Sequence, residues 1–431
     1  MGHLLVYGLL FFVPMAPVAV FGIVVNRSGG VPVLVYLVAA AIMALSAISY
    51  AQMARRFPVA GSVYGYTRLS TNRFLGFVAG WLILLDYILM PALLTILSAV
   101  ALGHIWPIPP AVYAAVFVGA SVLMNLRGMK ITTRVGLVLL AIQLVVIALF
   151  VGFVLQAAAA GQITLTLHSL WRPEVSWAAV LSAVSIAALS FLGFDAVNTL
   201  NEEARGGGKA VSRATTMLLG LITVLFCLQL WAAAVVSDAT GFAPGAATNR
   251  AFYGAVDAVA PGWYVPVFTL TNAFVAIFAC LVVAHAASSR LLFAMARDGV
   301  LPRQLARTSS RGVPHVAVLT IGAIALVVSV VFAEQAELMT SLVTFGALSS
   351  YVLLHLAVLA RCLGTERSTR WLTHLVVPVA GIATLLLALS RSTQITITVG
   401  LSWLVLGIAG HLLWSRIKPS SPAQLPDKEL T

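Results

Sequence analysis

Two acidic residues lie deep inside long apolar segments of this 431-residue chain. Asp86 stands in GWLILLDYILMP and Asp195 in LSFLGFDAVNTL, whereas the other acids lie near or beyond the ends of such segments. A carboxylate near the centre of a bilayer costs about 2.5 to 3.5 kcal/mol, so membrane proteins keep one for a pathway, a relay or a counter-ion. The pair therefore predicts a site for a cation, a proton or both.

An ammonium group that leaves water needs an acceptor of opposite charge, and a diamine needs one near each end. Asp86 and Asp195 can supply these acceptors, and Tyr87, Phe191 and Phe194 can add cation–π contacts of about 0.5 to 2 kcal/mol each. Asp195 can also carry the coupled proton, because desolvation favours its neutral form and a nearby cation its ionised form. The alternative for both acids is a structural hydrogen bond between helices.

The composition requires a membrane to surround these acids. The chain is 61% hydrophobic and 9% charged, with a mean hydropathy of +1.03, which leaves too little polar surface for a water-soluble globule. Apolar segments of about 20 residues can each cross the bilayer as a helix. We predict twelve such spans, at 4–25, 31–54, 74–101, 110–126, 132–156, 177–201, 211–236, 263–293, 314–333, 338–361, 371–390 and 395–414.

The net charge of +12 follows the predicted topology. With twelve spans, 21 of the 25 lysine and arginine residues fall on one side of the membrane, as the positive-inside rule expects when both termini are cytoplasmic. The basic balance therefore indicates a multi-pass protein of the plasma (inner) membrane in contact with the lipid bilayer. It does not indicate a nucleic-acid partner.

Motifs of catalysis and cofactor binding are missing from the sequence. It contains no H-E-x-x-H, no G-x-S-x-G and no cysteine or histidine cluster with metal spacing. RGGGKA lacks the first glycine and the hydroxyl residue of a phosphate loop. We therefore expect no enzyme, no metal and no cofactor, and we keep a membrane enzyme and a channel or nutrient sensor as the rival classes.

Two spans carry residues that interrupt helices. Pro14 and Pro17 lie mid-way along span 1, where proline removes a backbone donor, and Gly193 lies at a similar depth in span 6. Interrupted helices at corresponding places are typical of secondary transporters built from two inverted repeats, with the site at the midplane. The alternative is a plain proline kink and a packing glycine.

Five motifs carry a resemblance to a known family. They are PMAPVAVFGIVVNRSGGVP (14–32), SYAQMARRFPVAGSVYGYTR (49–68), LGFVAGWLILLDYILMP (75–91), FLGFDAVNTLNEEARG (191–206) and SSRLLFAMARDGVLPRQLAR (288–307). In order and spacing these motifs resemble the amino acid, polyamine and organocation (APC) permease superfamily, and within it the bacterial putrescine importer branch. FLGFDAV and AMARDG are shared by many amino acid permeases, so the branch is the less specific part of the resemblance.

The resemblance implies an all-α polytopic membrane protein with a LeuT-like 5+5 inverted repeat and two peripheral helices. The first repeat would cover residues 1–156 and the second 157–362. The peripheral helices would cover 363–416, followed by a cytoplasmic tail at 417–431. The substrate would bind between spans 1, 3, 6 and 8, and transport would proceed by alternating access.

The resemblance also assigns roles to residues. Asp86 and Tyr87 would face the substrate, and Phe191 would form an aromatic gate. Salt bridges of Glu202 and Glu203 with basic loops are a possible second gate, against plain solvated charge at a helix end. The remaining expected pocket residues are Pro14, Met15, Ala16, Pro17, Gly193, Phe194 and Asp195; Ser288 and Ser289 are weak sodium candidates, for which helix packing is the alternative.

The substrate prediction depends on span 1. Amino acid transporters of the superfamily usually open this helix at a glycine-rich motif whose amides hold the substrate carboxylate. Here the segment reads VPMAPVAVFG, with two prolines that donate nothing. We therefore predict a proton-coupled importer of a polyamine such as putrescine. The alternative is a cationic or broad-specificity amino acid permease, and sodium is the alternative coupling ion.

Overall fold

The computed structural model describes residues 13–57, 62–103, 105–128, 133–193, 207–240, 248–310 and 312–417, and none of these lies in a β-strand. The all-α prediction is confirmed. The helices are α1 (Ala16–Ser28), α2 (Pro32–Arg56), α3 (Ser62–Ser70), α4 (Arg73–Leu102), α5 (Pro110–Leu126), α6 (Thr133–Ala159), α7 (Trp177–Phe191), α8 (Gly207–Thr240), α9 (Ala251–Val259), α10 (Tyr264–Arg297), α11 (His315–Val331), α12 (Ala336–Thr365), α13 (Leu372–Ser390) and α14 (Gln394–Ile417).

Within the described ranges, eight helices are long and apolar enough to cross a bilayer, namely α2, α4, α6, α8, α10, α12, α13 and α14. Four shorter apolar helices, α1, α5, α7 and α11, lie where spans 1, 4, 6 and 9 are predicted. Crossing by all twelve segments stays a prediction. The short helices α3 and α9 lie between the apolar segments.

Helix α4 is the centre of the bundle and contacts α3, α5, α10, α11, α12 and α14. Its first turn is capped by Asn72, whose side chain accepts a hydrogen bond from the amide of Leu75 at 2.8 Å. Gly346 of α12 lies against the α4 backbone, because a Cβ at that glycine would be 2.8 Å from the amide nitrogen of Asp86. The two backbones therefore touch at the level of Asp86.

A proline inside α4 explains a cross-link to α10. Pro91 has no N–H, so the carbonyl oxygen of Tyr87 one turn earlier lacks its helical donor. The hydroxyl of Ser288 in α10 donates to this oxygen at 2.5 Å. Thr95 bonds the carbonyl oxygen of Pro91 at 2.8 Å. Thus α4 stays one continuous helix, and its unmatched carbonyl ties it to α10.

Charged side chains link elements at one end of the bundle, which the positive-inside argument assigns to the cytoplasm. Asp298 accepts hydrogen bonds from Tyr64, at 2.7 Å, and from Arg68, both on α3. Glu366, beyond α12, accepts from Arg56 and Arg361, each at 3.0 Å. Burial raises the pKa of Glu366, but the hydrogen bonds and charges of the two arginines outweigh burial and hold it below its usual value.

Ion pairs also link elements at the opposite end. Arg27, in the last turn of α1, pairs with Glu337 at the start of α12. Arg172 pairs with Asp238 at 2.6 Å. Since these side chains are partly exposed, each pair contributes at most about 1 kcal/mol. Their main effect is to connect elements that are distant in the sequence: α1 with α12, and the segment before α7 with α8.

Candidate functional site

The described residues next to the two predicted helix breaks, 13–15 and 192–193, lie at the same place in the bundle. Helix α1 begins only at Ala16, and Val13 before it has a left-handed φ of +49°. Helix α7 ends at Phe191, after which Leu192 is extended and Gly193 has a φ of +115°, a value that favours glycine. The helical hydrogen-bond pattern is therefore absent from residues 13–15 and 192–193.

Two small adjoining cavities lie between these breaks and the helices α4 and α10. We call the larger, of about 60 Å³, the apolar cavity, and the smaller, of about 20 Å³, the acidic cavity. Met90 and Leu192 line both. The apolar cavity is also lined by Val13, Met15, Ala16, Ala19, Leu93, Leu94, Leu97, Leu189, Ser190, Asn272, Ile277 and Cys280, and the acidic cavity by Asp86, Tyr87, Gly193, Ala284, Ala287 and Ser288.

The structure brings together many of the predicted site residues. Met15 and Ala16 line the apolar cavity, and Asp86, Tyr87 and Gly193 line the acidic one. Pro14 and Pro17 are buried in the segment that forms the α1 break and do not belong to either lining. These prolines shape the wall through the backbone.

Asp86 is the carboxylate among the described residues that line the two cavities. Its side chain is only 5% exposed, and most of its neighbours in the acidic cavity are apolar or small. A charged carboxylate in such surroundings is costly unless a cation accompanies it. The acidic cavity has room for about one water molecule, so any larger ligand requires the walls to move apart.

Phe191 takes a different position from the one predicted for a gate. It is fully buried and lines neither cavity. Its ring centroid lies 5.7 Å from that of Tyr36 and 5.3 Å from that of Phe226. Beside this cluster, the hydroxyls of Tyr36 and Ser190 are 2.7 Å apart. The aromatic cluster therefore packs against the end of α7 on the side away from the two cavities.

The sodium candidates use their hydroxyls within the bundle. The Ser288 hydroxyl, which bonds the carbonyl oxygen of Tyr87, is shared with the carbonyl oxygen of Ala284 at 2.8 Å. The Ser289 hydroxyl donates to the carbonyl oxygen of His285 at 2.8 Å. These contacts favour the helix-packing alternative. Among the residues that the structure describes, no group of three or more His, Cys, Asp or Glu could hold a metal ion. Phe194, Asp195, Glu202 and Glu203 lie outside the described residues.

Two side-chain amides at the site were not predicted from the sequence. Gln229 of α8 is 1% exposed, and its Nε2 donates to the carbonyl oxygen of Pro14 at 2.8 Å, which holds the broken end of α1. Asn272 of α10 lines the apolar cavity. The signal that could have found both is a carboxamide in the middle of an apolar span.

A sequence profile described as amino acid permease matches residues 4–409, almost the whole chain. The chain belongs to this amino acid permease family. The permease is 28% identical over 421 residues to the low-affinity putrescine importer PlaP of Escherichia coli (strain K12), covering 93% of this chain and 90% of the relative. It is 26% identical over 417 residues to the branched-chain amino acid permease BcaP of Bacillus subtilis (strain 168), covering 88% and 85%.

The fold of the permease is similar to that of a Na⁺-coupled sialic acid symporter solved in a substrate-bound, outward-open state. The TM-score is 0.59 with 13% sequence identity, over 90% of this chain and 88% of the other. At this identity the likeness concerns the fold alone, and it confirms the prediction of a LeuT-like transporter fold. The permease is thus a multi-pass membrane transporter of the APC superfamily and not an enzyme.

Proposed function

We propose that this permease imports a polyamine such as putrescine across the plasma (inner) membrane by alternating access, coupled to protons and with both termini cytoplasmic. The observation that carries the proposal is the acidic cavity. There a buried carboxylate, Asp86, stands beside the interrupted end of α7, next to apolar walls that suit an alkyl chain. The similarity to a putrescine importer supports the same substrate class.

The α1 break has few amides to offer a substrate carboxylate. Pro14 and Pro17 have no N–H. The amides of Ala16 and Val18 donate within their own turn, at 2.8 and 3.1 Å. A carboxylate ligand would therefore find fewer of the bare donors that helix N-termini usually present. A substrate with amines and no carboxylate suits this wall better.

Proton coupling is assigned to Asp195. It follows two residues after Gly193, which lines the acidic cavity. Desolvation favours a proton on the Asp195 carboxyl group, and an arriving ammonium favours release of that proton. Phe194 extends the same segment, and Glu202 and Glu203 remain our candidates for a gate at the end of span 6.

Uptake of radiolabelled putrescine into proteoliposomes tests the substrate class. We expect spermidine to compete strongly, arginine and lysine weakly, and leucine not at all. Asp86→Asn should lower uptake at least tenfold. The matched control is Asp257→Asn, which makes the same change at an exposed position on α9. Strong competition by leucine together with normal uptake by Asp86→Asn would refute the proposal.

The coupling role has a separate test. An inward proton gradient should drive accumulation in the wild type, and Asp195→Asn should abolish it while exchange of internal for external substrate continues. Accumulation that survives in Asp195→Asn would remove the residue from the coupling step.

A cationic or broad-specificity amino acid permease is the second candidate. The similarity to a branched-chain amino acid permease favours it. Arginine or leucine would then be taken up better than putrescine in the same assay, and this result separates the two candidates directly.

A further inference from the structure

Asn272 lies on the wall of the apolar cavity and is the first residue of α10 that lines either cavity, whereas Ala287 and Ser288, about four turns later, line the acidic cavity with Asp86. It is 1% exposed and belongs to the segment Thr271–Phe278, where α10 is π-helical. Such segments are uncommon and occur frequently at functional sites. The wider turn inserts a polar residue into a wall that is otherwise mostly apolar.

The two ends of the Asn272 amide have different surroundings. Its Nδ2 donates to the hydroxyl of Tyr253 at 2.6 Å, which fixes the orientation of the group. Its Oδ1 is buried and accepts no hydrogen bond from the residues that the structure describes. Because buried polar atoms are normally hydrogen-bonded, an acceptor left open on a cavity wall indicates a donor that arrives with a ligand.

The two cavities adjoin at Met90 and Leu192, and we call the pair the cleft. The residues of α4 that line it run from Asp86 to Leu97, about 16 Å along the helix axis. Asp86 lines one of the two cavities, and Asn272 lines the other. Between them is Met90, whose flexible thioether can change rotamer and join the two spaces.

We propose that Asn272 is a second amine acceptor, which binds the far ammonium of a long linear polyamine while Asp86 binds the near one. This inference rests on the proposed function and extends it to substrate length. A charge-assisted hydrogen bond from an ammonium to an amide oxygen is a strong one in a site without water.

Ligand length decides which substrates reach both acceptors. A four-carbon diamine spans about 6 Å between nitrogens, and a linear triamine such as spermidine about 11 Å. Hydrogen bonds of about 3 Å at each end extend these reaches to about 12 and 17 Å. The triamine therefore reaches farther along the cleft than the diamine does, so contact with Asn272 discriminates between amines by length.

The test compares KM values for putrescine and spermidine in proteoliposomes. We expect Asn272→Leu to raise the KM for spermidine at least tenfold and that for putrescine less than twofold. Asn272→Asp, which strengthens the acceptor, should lower the KM for spermidine. Gln143→Leu removes a buried amide that lines neither cavity and serves as the control, with both KM values expected to stay within twofold of the wild type. Asp86→Asn should raise both KM values.

The outcomes separate this inference from the proposed function. If both amines are carried and Asn272→Leu changes their KM values equally or not at all, Asn272 is no acceptor and the importer assignment stands. If the wild-type protein carries neither amine, both ideas fall. A selective loss for spermidine in Asn272→Leu and a gain in Asn272→Asp would establish the second acceptor, since misfolding cannot produce the gain.

Discussion

Helix α1 begins and helix α7 ends at the cleft, and the two helix ends are held in different ways. At α1 two prolines remove donors, Val13 takes a left-handed conformation, and Gln229 holds the carbonyl oxygen of Pro14. At α7 the interruption depends on the missing side chain of Gly193. One break is therefore held by a contact from another helix, and the other by the conformational freedom of a single residue. The two should respond differently to substitution.

Gly193→Ala should have the largest effect. A side chain at a φ of +115° is strained by about 1 to 3 kcal/mol, and relief of that strain would redirect the chain at the acidic cavity. We expect substrate uptake to fall by at least tenfold. Gly220→Ala in α8, where an added Cβ meets no atom within 4 Å, is the matched control. Normal uptake by Gly193→Ala would mean that the α7 break does not need this conformation.

Gln229→Leu should have the next largest effect, because it leaves the buried carbonyl oxygen of Pro14 without its donor at a cost of about 1 to 3 kcal/mol. We expect uptake to fall several-fold and the melting temperature in detergent to drop. Gln143→Leu in α6 removes a similarly buried amide that bonds only its own helix, at 3.4 Å. Equal losses in the two variants would show that the α1 break needs no support from α8.

Pro91 offers a sharper comparison, since α4 carries a proline and stays continuous. Ser288→Ala should cost about 1 kcal/mol of unfolding free energy, because Tyr87 then loses its substitute donor. In a Pro91→Ala background the new amide can bond Tyr87 directly, so the same serine change should cost less. Thermal unfolding of the four proteins measures this coupling. If the two changes have additive effects on the free energy of unfolding, the new backbone amide does not replace the Ser288 hydroxyl as the donor to Tyr87.

Pro17→Ala should have the smallest effect. Pro17 lies in the first turn of α1, where an N–H needs no helical acceptor and proline is tolerated. We expect uptake within twofold of the wild type. A loss as large as that of Gln229→Leu would indicate that the ring of Pro17, rather than the backbone contact at Pro14, maintains the break.

The sequence indicates where α1 begins and where α7 ends because the causes are local. Proline and glycine act on their own backbone, so Pro14, Pro17 and Gly193 mark these positions without knowledge of the fold. Length and apolarity likewise locate the long helices. The segment that contains α9 is short and mixes polar with apolar residues, so the sequence did not predict a helix there.

The direction in which side chains point is harder to predict. A membrane helix is apolar on nearly all sides, so its pattern does not tell which face meets the cleft. Phe191 illustrates this, because the family resemblance implied a gate there, whereas in this structure its ring packs against Tyr36 and lines neither cavity. The roles of Gln229 and Asn272 likewise depend on which residues from distant segments come near them.

The contact between Gly346 and the backbone at Asp86 has a mechanical consequence. Gly346 has no side chain to separate α12 from the α4 backbone, so the two helices are closely packed at this point. We therefore expect the two to travel as one rigid unit through the transport cycle, with the wall movement left to α1 and α7. Paired spin labels on α4 and α12 should keep a constant separation with and without substrate, while a label on α1 changes its distance to them.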